Sequence, residues 1–357
     1  MHMKKILLLA LVIITMTVLS FSQFIYPDIR PGYGVTETKW LSDYFTPLKG
    51  TNLDTPVFIM DSGNPGATFL LMGGTHAREI AGTTSALVFL ENAVVKTGRV
   101  IVIPFSNRSA ASIDDQSTDI PHFIQIETRS GPRYLIYGDR RTDITDQGID
   151  DPNQYVHEPS GMIIDNGAES RNLNRNYPGK PDGNPTQQLA YAILELIRQE
   201  DVDFNLDMHE SDTPRELTDP SGKVYEGGRL AYMLVCHPTG LELGAIAIME
   251  MEDMGIPMKL EESNVEFRGL SHREIGDNSD CISFLSESPN PGQERIGEDK
   301  DVINDPDYPL KHRVGMHLEL IKKLFSAYNL YYGNMIEVDN LPEYDELMEK
   351  DVGNFLN

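Results

Sequence analysis

The stretch ATFLLMGGTHAREIAGTTSALVFLENAVV, residues 67–95, joins a short apolar run, a pair of glycines and a long segment of helical character. The run ATFLLM ends at Gly73 and Gly74, which predicts a buried strand that enters a tight turn. Apolar side chains then recur at helical spacing, and RVIVIPF, residues 99–105, predicts the next strand. Strand, turn, helix and strand in this order are typical of a largely parallel sheet with helices on both faces.

The same alternation continues further along the chain. We predict helices over residues 186–200 and 308–328, and strands over residues 202–209 and 281–287. Residues 107–170 are instead polar, with scattered aromatic side chains, which predicts a folded set of loops above a site. The expected fold class is α/β: a mixed, mostly parallel twisted sheet of about eight strands, sandwiched between helices in a single domain.

Three segments are distinguished along the chain. Residues 1–22 contain two lysines, a short apolar run and small residues, which is the pattern of a secretory signal peptide. The chain is therefore expected to be exported to the periplasm or the extracellular space; the alternative is an uncleaved segment that tethers it to a membrane. Residues 23–335 would form the catalytic domain, with the insertion 107–170. Residues 336–357 would form an acidic, peripheral C-terminal segment.

The charge balance excludes several kinds of partner. The chain has 55 acidic and 30 basic side chains, a formal net charge of −25, and no basic stripe. Such a surface repels nucleic acid and anionic membranes, so we expect neither as a stable partner. An anionic substrate would need arginines in its own site. The two cysteines, Cys236 and Cys281, could pair in an exported protein or remain buried and free.

Two histidines and a glutamate form a candidate metal site. His76 and Glu79 stand three residues apart where a predicted strand turns into a helix, so their side chains share one face. His209 closes the predicted strand VDFNLDMH. The carboxyl ends of strands are where open α/β sheets bind ligands. Two histidines and one carboxylate, with a fourth position open, are a typical catalytic zinc set, so we expect one Zn²⁺ per chain.

Four motifs in order resemble those of a known enzyme superfamily. They are GGTHAREIAG (73–82), RNLNRNYPG (171–179), DMHES (207–211) and SFLSESPNPGQ (283–293). The chain resembles the zinc metallocarboxypeptidases, and within them the succinylglutamate desuccinylase/aspartoacylase branch. The resemblance implies that His76, Glu79 and His209 bind zinc.

The resemblance also implies roles for residues around the metal. Glu287 would be the catalytic glutamate that takes a proton from water and returns it to the leaving amine. Arg175 and Asn174 would bind a substrate carboxylate, for which a guanidinium fork is well suited. Arg78 would contact the substrate backbone.

The chain departs from the family pattern at several positions. Asn172 stands where the family commonly has the aspartate that orients the first zinc histidine. No motif identifies the arginine that polarises the scissile carbonyl. Arg171 is the slightly favoured choice, and the other candidates are Arg133, Arg140 and Arg141. The stretch before Glu287 lacks the tyrosine of carboxypeptidases, which favours the deacylase branch.

The expected function is hydrolysis of an amide bond next to a free carboxylate by zinc-activated water, with Glu287 as the proton carrier. The expected substrate is an N-acylated amino acid or a small peptide-like amide. One alternative is a metallocarboxypeptidase that acts on nutrient or cell-wall peptides. Another is an exported binding protein that uses the same pocket without catalysis.

Overall fold

The computed structural model describes residues 27–113, 122–218, 221–294 and 301–357. The predicted signal peptide lies outside the described residues. A mixed eight-stranded sheet forms the centre of the molecule. Its strands are β1 (Glu37–Trp40), β2 (Pro56–Asp61), β3 (Thr68–Met72), β5 (Arg99–Ile103), β10 (Phe204–Ser211), β13 (Met233–Cys236), β14 (Lys259–Glu262) and β15 (Ile282–Pro289). Strand β4 (Val94–Thr97) is not part of this sheet.

The order across the sheet is β1-β2-β5-β3-β10-β15-β13-β14. The four central strands, β5, β3, β10 and β15, run parallel to one another, and so do β13 and β14. The other three pairings are antiparallel. The predicted fold class, a mixed and mostly parallel sheet between helices, is confirmed.

Helices cover both faces of the sheet. They are α1 (Ile80–Asn92), α2 (Arg108–Ala111), α3 (Ile144–Gln147), α4 (Pro185–Gln199), α5 (Leu241–Asp253), α6 (Ser271–Asn278), α7 (Leu310–Tyr332) and α8 (Tyr344–Lys350). The strands and helices predicted from periodicity are all present, with their ends shifted by a few residues.

Strand β3 shows how one short apolar run builds two hydrophobic cores. Successive side chains of a strand point to opposite faces. Phe69 and Leu71 accordingly pack into the core that contains α1, α5 and α7, whereas Leu70 and Met72 pack into the core that contains α4. Both faces of β3 are therefore buried, which explains why this strand is almost continuously apolar.

The insertion 107–170 is more regular than its sequence indicates. It contains α2, α3 and two hairpins of paired strands, β6 (Phe123–Thr128) with β7 (Gly131–Ile136) and β8 (Tyr155–His157) with β9 (Met162–Ile164). A further pair, β11 (Glu216–Thr218) and β12 (Val224–Glu226), lies after β10.

The acidic C-terminal segment is not peripheral, contrary to the sequence-based expectation. Its strand β16 (Glu337–Asp339) pairs with β4, and α8 packs on α7. Leu347, Val352 and Leu356 are buried in the larger core. The acidic side chains occupy the exposed positions between these apolar ones, so the net charge of the segment conceals an amphipathic pattern.

Cys236 and Cys281 are both buried and free. Among the described residues, no helix is both long enough and apolar enough to cross a membrane.

Candidate functional site

The candidate site lies at the carboxyl ends of the central parallel strands. Strand β3 leads through α1 to β5 on one side, while β10 pairs with β3 on the other side. A crevice opens at such a switch in strand order, and ligands of open α/β sheets bind there. His76 follows β3, His209 lies in β10, and Glu287 stands beside His209 in the neighbouring strand β15.

Two glycines shape the turn that carries the first histidine. Gly74 has a φ of 65°, a left-handed conformation that favours glycine. A Cβ on Gly82 would lie 2.4 Å from the carbonyl oxygen of Met208. Glycine at this position therefore lets α1 approach β10 closely, and this approach brings Glu79 beside His209.

His76, Glu79 and His209 form a compact buried group. The Oε1 atom of Glu79 lies 2.7 Å from Nδ1 of His76, and its Oε2 atom lies 2.6 Å from Nδ1 of His209. Each side chain is at most 2% exposed. All three ligand atoms lie within 4.8 Å of one another, so the group can hold a metal ion.

The outward nitrogen of each imidazole has its own partner. Nε2 of His76 lies 2.9 Å from Oδ1 of Asn172, as expected for the residue that orients this histidine. Nε2 of His209 lies 3.0 Å from Oδ2 of Asp207. Asn172 can accept a hydrogen bond from Nε2–H of His76, whereas the contact of His209 with Asp207 is an ion-pair distance without hydrogen-bond geometry. A proton on Nε2 of each histidine would leave its Nδ1 atom available to bind a metal ion beside Glu79.

The electrostatics of the group favour a cation. Burial opposes a charged imidazole, but Asp207 and Glu79 raise the pKa of His209 well above its usual value. Burial likewise opposes charge on Glu79, yet the two histidines lower the pKa of this carboxyl well below its usual value. Burial and the nearby Arg140 lower the pKa of His76 to about 4. Two converging imidazole nitrogens and an ionised carboxylate fit a divalent ion such as zinc.

Asp207 was not predicted from the sequence. It accepts hydrogen bonds from Thr75 at 2.8 Å and from Ser271 at 2.6 Å, and these bonds fix its carboxylate. The sequence could have indicated this residue, because Asp207 stands two residues before His209 in a predicted strand and residues at this spacing share a face.

Glu287 lines the cavity that opens above the group. Its Oε2 atom is buried and has no hydrogen-bond partner among the described residues. Burial, reinforced by the negative charge of Glu79, raises the pKa of Glu287 to about 8. An unpartnered, partly protonated carboxyl beside a metal-binding group is suited to accept and release protons near neutral pH.

The cavity has a volume of about 350 Å³. Its charged and polar lining residues include His76, Glu79, Arg140, Asn174, Arg175, His209 and Glu287. Its apolar lining residues are Leu230, Val235, Phe267, Leu270 and Leu285.

Arg140, rather than Arg171, reaches this cavity. Its Nη1 atom lies 3.5 Å from Oε1 of Glu79, and its side chain is 36% exposed. Arg171 instead binds both carboxylate oxygens of Asp151, at 2.7 and 2.9 Å, and donates to the carbonyl of Thr142 at 2.6 Å. These bonds direct the Arg171 guanidinium into the insertion, which accounts for the difference from the sequence-based preference.

The remaining arginine candidates also have partners elsewhere. Arg133 is buried against Glu91, and Arg141 binds Glu169.

Arg78 is not among the described residues that line the cavity, although a substrate contact was expected for it. Its Nε atom donates to the carbonyl oxygen of Gly138 at 2.9 Å, and its Nη2 atom lies 3.2 Å from Oδ2 of Asp139. These two residues immediately precede Arg140. Arg78 therefore supports the loop that brings Arg140 to the site.

Arg175 and Asn174, which the sequence predicts to bind a substrate carboxylate, both line the cavity. Nη1 of Arg175 donates to the carbonyl oxygen of Asn174 at 2.5 Å. The side-chain oxygen of Asn174 accepts from the backbone N–H of Ser271 at 2.8 Å. Burial lowers the pKa of Arg175, which indicates that its charge is incompletely compensated by the protein.

No protein-family model matches the sequence, and no curated protein matches it. Several solved structures, however, align with this chain. A succinylglutamate desuccinylase from a Silicibacter species aligns with a TM-score of 0.42 at 14% identity, covering 78% of this chain and 61% of that chain. A succinylglutamate desuccinylase/aspartoacylase from Rhodobacter sphaeroides aligns with a TM-score of 0.41 at 16% identity, covering 76% and 59%.

A third similar structure is the mDAP-bound form of Csd4 from Helicobacter pylori, a D,L-carboxypeptidase, with a TM-score of 0.43 at 14% identity, covering 80% of this chain and 56% of that chain. The chain thus spans about three fifths of the length of these structures.

Proposed function

We propose that this protein is an exported zinc-dependent hydrolase that cleaves an amide bond next to a free carboxylate. The favoured substrate class is a small N-acylated amino acid. The observation that carries the proposal is the buried, unpartnered Oε2 atom of Glu287, in a cavity that is also lined by His76, Glu79 and His209.

The metal would be held by Nδ1 of His76, Nδ1 of His209 and the carboxylate of Glu79. The chemistry that bound zinc supplies is Lewis-acid activation of water and of a carbonyl oxygen. Glu287 accepts a proton from the attacking water at Oε2 and returns it to the leaving nitrogen. Arg140 donates hydrogen bonds to the carbonyl oxygen as negative charge develops there.

Two surfaces of the cavity would select the substrate. Arg175, with Asn174 beside it, binds the free carboxylate through a guanidinium fork whose charge is incompletely compensated in the free protein. The apolar lining residues, among them Leu230, Val235 and Leu285, accommodate an aliphatic or aromatic portion of the substrate.

The size of the cavity supports a small substrate over a long peptide. Its volume of about 350 Å³ is near the lower end of the usual range for small-molecule sites. The described residues that line it include no tyrosine, which agrees with the deacylase branch rather than with carboxypeptidases.

The proposal includes location and domain organisation. Residues 1–22 would direct export, and the catalytic unit would comprise residues 23–335, with the insertion 107–170 supplying Arg140.

A panel of substrates tests the proposal. Zinc-loaded protein is assayed with N-acyl amino acids that carry short or long acyl groups, and in parallel with peptides that have a free C-terminus. We expect the N-acyl amino acids to be hydrolysed and Glu287→Gln to abolish turnover. Hydrolysis of peptides alone would favour the carboxypeptidase alternative, and binding without any turnover would favour a binding protein.

A further inference from the structure

The outward nitrogen of His76 contacts an amide, and this amide in turn contacts a carboxylate. Oδ1 of Asn172 lies 2.9 Å from Nε2 of His76, and Nδ2 of Asn172 donates to Oε2 of Glu169 at 2.7 Å. His209 differs, because its Nε2 atom lies 3.0 Å from the carboxylate of Asp207 directly.

The orientation of the Asn172 amide is fixed by its other contacts. Oδ1 also accepts a hydrogen bond from the backbone N–H of Asn174 at 3.0 Å. A flipped amide would direct its NH₂ group at this N–H and its oxygen at the Glu169 carboxylate, and both contacts would be repulsive. Oδ1 therefore faces His76 and accepts a hydrogen bond from Nε2–H.

Glu169 is held as a buried, ionised carboxylate. It is 8% exposed, and its Oε1 atom accepts hydrogen bonds from Nε and Nη2 of Arg141 at 3.1 and 2.6 Å. Burial by itself would raise the pKa of Glu169, but the hydrogen bonds from Arg141 and Asn172 lower it below its usual value. The Nε atom of Arg175 lies 3.7 Å from the other oxygen of this carboxylate.

We propose that Glu169 is a positioning residue for the metal site, acting on His76 through the Asn172 amide. Its negative charge polarises the amide, and a polarised amide oxygen is a better acceptor for Nε2–H of His76. This relay keeps Nδ1 of His76 unprotonated and directed at the metal position. It replaces the direct carboxylate that Asn172 does not provide. The inference rests on the metal-binding part of the proposed function and not on the identity of the substrate.

The same carboxylate joins the metal group to the substrate-binding side of the cavity. Oε2 of Glu169 accepts from Asn172 and lies 3.7 Å from Nε of Arg175, while Arg141 from the insertion 107–170 binds Oε1. One buried charge thereby orients a metal ligand and lies next to the arginine proposed to bind the substrate carboxylate.

Zinc affinity tests the relay. The dissociation constant for Zn²⁺ is measured by competition with a chromophoric chelator in the wild type, Glu169→Gln, Asn172→Asp and the double variant. Since partners that orient metal-bound histidines contribute about 10- to 100-fold to affinity, we expect Glu169→Gln to weaken zinc binding by this factor. In the double variant, a carboxylate contacts His76 directly, and we expect affinity to return to within a few fold of the wild type.

Glu91→Gln is the matched control. Glu91 is also a buried carboxylate bound to an arginine, Arg133, but it lies at the opposite end of α1 from Glu79. We expect Glu91→Gln to lower the thermal unfolding temperature without changing zinc affinity.

The outcomes separate the relay from the proposed function. Unchanged zinc affinity in Glu169→Gln would overturn the relay. So would a loss from Glu169→Gln that is equally large with and without Asn172→Asp, which a purely structural role predicts. A wild type that binds no zinc would overturn both the relay and the proposed function. Tight zinc binding with the expected pattern of variants, but no hydrolysis, would support the relay and overturn the proposed function.

Discussion

Replacing Glu287 by glutamine has a calculable effect on stability, separate from its effect on catalysis. The carboxyl of Glu287 is held with a pKa of about 8 in the metal-free fold, because burial and the charge of Glu79 disfavour its ionised form. In an unfolded chain the pKa of the same carboxyl is 4.5. The folded protein therefore binds this proton more tightly than the unfolded chain does.

The sign of the pH dependence follows. The contribution of Glu287 to stability is fully present below pH 4.5 and is lost as the pH rises to about 8. A tenfold change in an acid constant corresponds to about 1.4 kcal/mol, so the full difference would be about 5 kcal/mol. Because Glu287 lines an open cavity, water screens its charge, and we expect about half of that value, ~2 kcal/mol.

Urea denaturation of chelator-treated protein measures this effect. The free energies of unfolding of the wild type and Glu287→Gln are compared at about pH 5 and about pH 9, on either side of most of the titration. At the lower pH, we expect the wild type and Glu287→Gln to have similar free energies of unfolding. At the higher pH, we expect Glu287→Gln to be the more stable protein by ~2 kcal/mol, since its amide cannot ionise.

Glu261→Gln is the control for the loss of one negative charge, because Glu261 lines the same cavity and its side chain is half-buried. We expect it to retain the pH dependence of the wild type. The free energies of unfolding of the wild type and Glu287→Gln could instead differ by the same amount at both pH values. In that case the reasoning that burial and Glu79 hold Glu287 protonated is wrong.

Three further predictions concern the arginines. Arg140→Ala should lower kcat for an N-acyl amino acid by about 10²- to 10³-fold at saturating zinc, whereas Arg171→Ala should change kcat by less than about threefold; comparable losses in both would contradict the assignment of Arg140. Arg175→Lys should raise KM by about 10- to 100-fold, because lysine cannot bind a carboxylate bidentately, and steady-state kinetics would show whether kcat is spared. Arg313→Met should reduce the free energy of unfolding at neutral pH by about 3–5 kcal/mol, because it leaves Glu210, its fully buried partner at 2.6 Å, without a counter-charge. Adding Glu210→Gln should recover much of that stability in urea denaturation, and failure to do so would contradict the ion-pair explanation.

The central strands and helices could be predicted because their pattern is strong. Strands β3 and β5 are almost continuously apolar because both of their faces are buried, and β10 alternates apolar with polar residues over its first half. The edge strand β14, with sequence KLEE, has no such pattern. Its conformation depends on pairing with β13, and such tertiary pairing leaves little local signal.

The candidate metal-binding residues could be proposed from the sequence because each lies in or next to a regular element. His76 lies in the turn before α1, Glu79 is the residue that precedes its first turn, and His209 and Glu287 are adjacent in paired strands. Arg140 could not be distinguished from Arg171, because both lie in or beside the insertion, where the path of the chain depends on contacts such as those of Arg78 with the preceding loop.

The link from Glu169 to His76 was likewise inaccessible to sequence reasoning. Glu169 precedes Asn172 by three residues within two short 3-10 turns, and its contact depends on how these turns meet. Only the fold shows that the amide of Asn172 lies between a buried carboxylate and a metal-binding imidazole.

A zinc titration followed by hydrolysis tests the central claim most directly. Zn²⁺ is added stepwise to chelator-treated protein, and release of the free amino acid from an N-acyl amino acid is measured at each step. We expect activity to rise in proportion to added zinc and to level off at one equivalent per chain. Activity that is independent of zinc, or absent at every ratio while zinc binds stoichiometrically, would contradict the assignment of this site as a zinc hydrolase centre.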